Sequence, residues 1–169
     1  MDVESAVRGR RTSKVYGPEP VLRETLEELL ELARWAPNHH LTQPWRFRVL
    51  GPAAIARLKT AGGPSEAAKL DRAPTLVCAS ASLSGDLVRD DEDICATACA
   101  IYAVLLGAHA RGLASYWRTP AVLRTEAGRD AVGLPRGERF LGLLHFGPAV
   151  QSPLPKDRVG IEGYVEFLN

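Results

Sequence analysis

Three short stretches of this chain gather side chains able to bind or react. Arg10-Arg11-Thr12-Ser13-Lys14 offers two guanidiniums, hydroxyls and an ammonium in consecutive residues. A phosphate monoester wants that set: a planar bidentate fork, a neutral donor and a point charge. A solvated basic turn has the same composition, so the cluster alone leaves both uses open. Ala36-Pro37-Asn38-His39-His40-Leu41-Thr42-Gln43-Pro44-Trp45-Arg46-Phe47 puts two histidines, amides and an indole together. Its prolines fix φ and discourage helix, so it reads as a rigid irregular loop, a usual carrier of binding groups. Trp117-Arg118-Thr119-Pro120 is the third, at a strand end, with Thr119 placed to cap a helix after Pro120. A helix N-terminus there would also receive an electron-rich group.

Other chemistries lack their residues. His39 and His40 are adjacent, without the spacing or the companion cysteines and acids of a zinc site, so no metal is expected. Cys78, Cys95 and Cys99 fall in apolar segments that read as buried strand and buried helix, where a thiol stays protonated and inert. An odd cysteine count cannot pair completely within the chain and fits a reducing, cytoplasmic setting. No P-loop, nucleophile elbow or GxGxxG occurs. An enzyme built on this chain therefore needs an organic cofactor.

The elements that must position these groups follow from periodicity and punctuation. With 169 residues, 46% hydrophobic and a net charge of +1, the chain suits one globular domain, 1–169, and shows no bulk charge for nucleic acid. Met1-Asp2-Val3-Glu4 lacks the apolar run of a signal peptide. A short helix over 2–9 ends at Gly9. From 21 to 35, Leu22, Leu26, Leu29, Leu30 and Ala33 form one helical face. Trp45, Phe47 and Val49 alternate with arginines as a half-buried strand would. Short helical pieces are expected at 53–61 and 66–71, interrupted by Gly62-Gly63-Pro64, and a central strand at 74–82. Residues 84–91 read as a polar linker, and the apolar run 94–108 as a buried helix too short to span a membrane. Strands at 113–117 and 140–146 flank a surface helix at 121–132. The uneven connections favour α+β, a central sheet covered by helices, over repeated βαβ units.

Taken in order, these pieces resemble the nitroreductase family of FMN-dependent oxidoreductases. The family opens with Arg-Arg-Ser-x-Arg/Lys, matched by Arg10 to Lys14, and continues with Ala-Pro…Gln-Pro-Trp-x-Phe, matched by Ala36-Pro37 and Gln43 to Phe47. The histidine form of that loop, Arg72-Ala73-Pro74 and Trp117-Arg118-Thr119 are similar to its small single-domain branch. The resemblance implies a nitroreductase-like fold, with a mostly antiparallel sheet, and an intertwined homodimer with two shared FMN sites. It implies that Arg10, Arg11 and Thr12 hold the FMN phosphate and ribityl chain, with Lys14 adding weakly. Trp35 and His39 would approach the flavin, one from the opposite subunit, and Trp117, Arg118 and Thr119 would line its other side. Lys156 and Arg158 lie where many relatives supply late phosphate contacts. The implied activity is ping-pong transfer from NAD(P)H through flavin to a nitroaromatic, quinone or similar small-molecule acceptor, with no side chain assigned as proton donor. Two departures stand out: Leu41 replaces a flavin-contacting Asn, and the Gly-rich segment between Lys59 and Arg72 implies a reduced lid. They motivate a second reading, an FMN-binding module without nitroreductase activity or acting on an unrelated substrate. A third takes the basic cluster as a partner or nucleic-acid surface, which near-zero net charge opposes.

Overall fold

The apolar run near residue 78 is the strand on which the rest is assembled. In the computed structural model, which describes residues 1–168, it is β2 (Thr75–Ser82), antiparallel to β1 (Trp45–Val49) and to β4 (Glu138–Pro148). β3 (Leu113–Arg118) pairs antiparallel with the far side of β4, giving the order β1-β2-β4-β3. Central strands covered on both faces must be apolar on both. Val77 and Ala79 of β2 pack with Leu144 and Phe146 on one face, while Leu76 and Cys78 pack with Leu143 on the other.

Two helical layers supply those covers. On the first face, Leu26 and Leu29 of α2 (Arg23–Glu31) meet Ala100, Ile101, Val104 and Ala108 of α4 (Leu87–Ala110). The second face is covered by α3 (Pro52–Leu70), a turn at Ala121–Arg124 and α5 (Glu126–Ala131), through Leu58, Leu70, Leu123 and Ala131. The short α1 (Val3–Gly9) lies on α4, with Gly9 against the His109 imidazole.

Several boundaries differ from the sequence reading, each for a local reason. The Asp86 side chain accepts from the Arg89 N–H at 3.0 Å, so α4 begins at Leu87 and absorbs most of the expected linker. At 24 residues α4 is long and apolar enough to cross a membrane, yet half of its most apolar window is buried inside the protein. The sheet reaches only one side of it. Cys95 and Cys99 are consequently exposed on the uncovered side, together with Val88 and Tyr102, rather than buried as expected. Cys78 is buried, and burial pushes its thiol up to about 12.

The helical pieces expected at 53–61 and 66–71 run on as one element, α3, broken where Gly63 takes φ +72 ahead of Pro64. The helix expected at 121–132 is divided, because Thr125 accepts from the Gly128 N–H at 3.2 Å and starts α5 afresh. Thr119 therefore caps no helix there; Pro120 precedes the turn without a side-chain cap. Past Pro148 the described residues form only a turn at Ile161–Gly163, leaving Val159, Ile161, Tyr164 and Phe167 exposed.

Candidate functional site

The basic cluster is shaped by what ends α1. Arg10 leaves the helix at ψ 129 while its N–H still reaches the Ala6 carbonyl at 3.0 Å. The chain then runs beside β3: Thr12 bridges to Ser115, and the Ser13 N–H donates to the Ser115 carbonyl at 3.0 Å. This extended run alternates, so Ser13 is buried while Thr12 and Lys14 face outward. Arg11 Nη1 donates to the Arg10 carbonyl at 2.9 Å, but the Nε atoms of Arg10 and Arg11 are buried without a partner among the described residues. The tail returns to this place with Lys156 and Arg158, closing a cavity of about 520 Å³ that also includes Lys14 and Tyr116 and, among the described residues, is lined by no carboxylate.

A second cavity of about 220 Å³ shares Lys14 and Tyr116 with the first and is completed by Tyr16, Lys69, Arg72, Arg118 and His145. Arg118 is held by a bidentate pair with Glu66, both bonds 2.5 Å. Lys14, Lys69 and Arg72 enter no ion pair among the described residues. The Tyr16 hydroxyl donates to the Ser13 carbonyl at 2.6 Å, and burial pushes its phenol well above the usual range. His145 is 2% exposed, and burial, reinforced by the charges of Arg118 and Arg72, lowers it to about 4. It is neutral near pH 7. Tyr116, Lys69, Arg72 and His145 were missed in the sequence. The only signal available for His145 was a polar residue inside the apolar run Leu143-Leu144-His145-Phe146.

The histidine loop sits elsewhere. His40, Leu41 and Gln43 take positive φ of 55, 50 and 46°, and a hydrogen-bonded chain holds them there. Asn38 donates to Thr42 at 2.8 Å, Thr42 donates to the buried Asp93 at 2.5 Å, and the Gln43 N–H donates to Asn38 at 2.6 Å. His39 Nδ1 pairs with Glu92 at 2.8 Å, its ring stacked on His40 at 3.9 Å. Trp35 is 79% exposed, with the Arg34 guanidinium beside it at 5.8 Å. Trp117 turns toward the first core, its Nε1–H donating to the Leu141 carbonyl at 2.9 Å. Its indole lies over Gly142, where any Cβ would fall 2.2 Å from that nitrogen.

The fold thus joins Arg10, Arg11 and Thr12 with Lys14, Lys156 and Arg158, and sets Arg118 in the adjoining cavity. It does not bring Trp35, His39 or Trp117 to that cluster, and Thr119 lies exposed just past β3. His39 meets α4 at Glu92, whereas the Arg10 guanidinium lies 6.0 Å from the Tyr102 ring. Those two points are about 15 Å apart along the helix.

Solved structures with this architecture include the "Nitroreductase-like Family Protein" of Bacillus cereus, at TM-score 0.90 and 24% identity, covering 99% of this chain and 96% of that one. The "putative nitroreductase in complex with FMN" of Desulfovibrio desulfuricans gives TM-score 0.82 and 25% identity over 98% of this chain and 96% of that one. The fold is the nitroreductase-like α+β fold. Residues 7–62 match the model of the Nitroreductase family. The "Putative NAD(P)H nitroreductase YfhC" of Bacillus subtilis is 28% identical over 171 aligned positions, covering 92% of this chain and 88% of that protein. "Nitroreductase NfnB" of Mycolicibacterium smegmatis is 40% identical over a shorter stretch of 58, or 34% of this chain and 25% of its own. Motifs, relatives and fold agree in their likeness to the nitroreductase family.

Proposed function

We propose that this protein is an FMN-dependent oxidoreductase that draws on NAD(P)H and reduces a nitroaromatic, quinone or similar acceptor in a ping-pong cycle. The observation that carries the reading is the larger cavity, where Arg10, Arg11 and Thr12 meet Lys156 and Arg158 from the far end of the chain. Buried donors without partners beside a cavity free of carboxylates fit a phosphate group. The names of the relatives and the FMN-bound neighbour agree with it.

When bound, FMN supplies the electron-transfer chemistry, and the protein supplies placement and electrostatics. Arg10, Arg11 and Thr12 would hold the phosphate and ribityl chain, while Lys14, Lys156 and Arg158 would add positive charge around it. The second cavity shares Lys14 and Tyr116 with the first and would take the ring end of the cofactor. There Arg118 is oriented by Glu66, and the cations Lys14, Lys69 and Arg72 favour electron-rich atoms.

A second copy of the chain completes the arrangement in this reading. Trp35 and His39 line no part of their own basic cavity, and His39 meets α4 about 15 Å along the helix from it, but the loop of a partner can reach it. The uncovered stripe of Val88, Cys95, Cys99 and Tyr102 provides a face for it, and the exposed tail residues Ile161, Tyr164 and Phe167 provide an arm. The protein is then a homodimer in which each 1–169 chain is one FMN-binding domain.

An absorbance scan of purified protein for bound flavin, followed by addition of NADH or NADPH, tests this. Protein that stays colourless after FMN addition and shows no flavin-dependent NAD(P)H oxidation overturns it. Arg10→Ala is expected to fold normally and bind FMN at least tenfold more weakly, since it loses a charge-assisted contact. Leu41, 77% exposed where other members place an Asn, favours the alternative of an FMN-binding module without reductase activity. Stopped-flow mixing separates the two: bound flavin that neither nucleotide bleaches supports the module.

A further inference from the structure

His145 sits in mid-β4 opposite Tyr116, lining the 220 Å³ cavity. Its neighbours Leu143, Leu144 and Phe146 are wholly buried apolar side chains. A polar side chain in such a place ordinarily finds a hydrogen-bond partner. The Nε2 of His145 has none among the described residues, and the ring leans on Tyr116, with centroids 5.7 Å apart. An apolar side chain would serve the core without leaving that nitrogen unmatched, so packing alone does not account for a histidine.

The surroundings indicate what would match it. Arg118, Arg72, Lys14 and Lys69 face the imidazole's cavity from β3, α3 and the segments beside them, with Glu66 occupied by Arg118 and the hydroxyls of Tyr16 and Tyr116 completing the wall. Among these cations the ring is neutral, and a neutral imidazole carries one donor and one acceptor. The pyrimidine edge of a flavin presents the complementary pattern, an imide N–H flanked by carbonyl oxygens. We infer that His145 hydrogen-bonds the ring of the bound flavin, so that the smaller cavity recognises the ring as the larger one recognises the phosphate.

This rests on the FMN reading, and comparing two ligands keeps the two apart. FMN and riboflavin, which lacks the phosphate, are titrated into wild type, Arg10→Ala, His145→Phe and His145→Gln by quenching of flavin fluorescence. His145→Phe is expected to weaken both ligands by the same factor, about tenfold for one lost hydrogen bond. Arg10→Ala weakens FMN alone. His145→Gln, which retains a donor and an acceptor, stays within about threefold of wild type. The flavin-free His145→Phe protein should melt no lower than wild type, because the substitution removes an unmatched buried nitrogen; a purely structural histidine would give the opposite. His145→Leu is a second apolar variant, read in the same way. Unchanged affinity of His145→Phe for both flavins overturns the inference and leaves the FMN reading standing. A wild-type protein that binds neither flavin overturns both.

Discussion

The two ends of α4 carry polar clusters in opposite condition. At the Tyr102 end, Arg10 and Arg11 keep buried Nε donors that none of the described residues satisfies. At the Glu92 end, Asn38, Thr42, Asp93, His39 and Glu92 satisfy one another and hold three non-glycine residues at positive φ. The first end has capacity for a ligand, and the second has used its capacity to fix a loop. The smaller cavity holds both conditions side by side: Arg118 is matched by Glu66, and His145 is unmatched. Residue type does not separate a binding group from a structural one; the presence of a partner does.

Substitutions can sharpen that contrast or break it. The largest effect is expected at Glu66→Ala, which strands Arg118 in a pair whose side chains are 13% and 12% exposed. Removing one partner of a buried pair should cost about 4 kcal/mol, read from the urea midpoint at unchanged slope. A loss below about 1 kcal/mol would mean that solvent already screens Arg118 and that the pair does not orient it.

Acid comes next. His145 is lowered to about 4 in the folded protein, while an unfolded histidine titrates near 6.5. Between those values the unfolded chain binds the additional proton, so this group's contribution is complete above about pH 6.5 and is lost as pH falls toward 4. Roughly 3 kcal/mol should disappear across that window, and His145→Phe should flatten that part of the stability profile. An identical acid limb in the variant would assign the loss to other groups.

At the loop end, Asp93→Ala leaves Thr42 without its acceptor and should destabilise the protein by about 2 kcal/mol. Faster amide exchange at Gln43 would report the loosened loop. Arg10→Ala should shift stability by less than about 0.5 kcal/mol despite its effect on flavin affinity. If Arg10→Ala proved the more destabilising of the two, the assignment of one end to binding and the other to structure would be reversed.

The fold was readable to the extent that its signals are local. Alternation at Trp45, Phe47 and Val49, the apolar run of β2 and the spacing of Leu26 and Leu29 marked elements that formed close to where they were expected. Boundaries moved where a single side chain decided them, as Asp86 did for α4 and Thr125 for α5. The burial of Cys95 and Cys99 was misjudged because composition records that a helix is apolar, not how many of its sides the sheet reaches. Arg118 was read as a binding residue from its place at a strand end, and its partner Glu66 lies 52 positions away, beyond any local pattern.

By itself the sequence determined the kinds of groups available, the order of the elements and the likeness to a family that binds FMN, because motifs and periodicities depend on neighbours along the chain. Tertiary structure decided which groups meet. It carried Lys156 and Arg158 to Arg10, gave Arg118 to Glu66, turned Trp117 into the core, placed His145 at a cavity, and set the histidine loop too far along α4 to serve the same chain's basic cluster. Those outcomes depend on long-range contacts, where hydrogen bonds are matched or left open only after the sheet and its helices have packed.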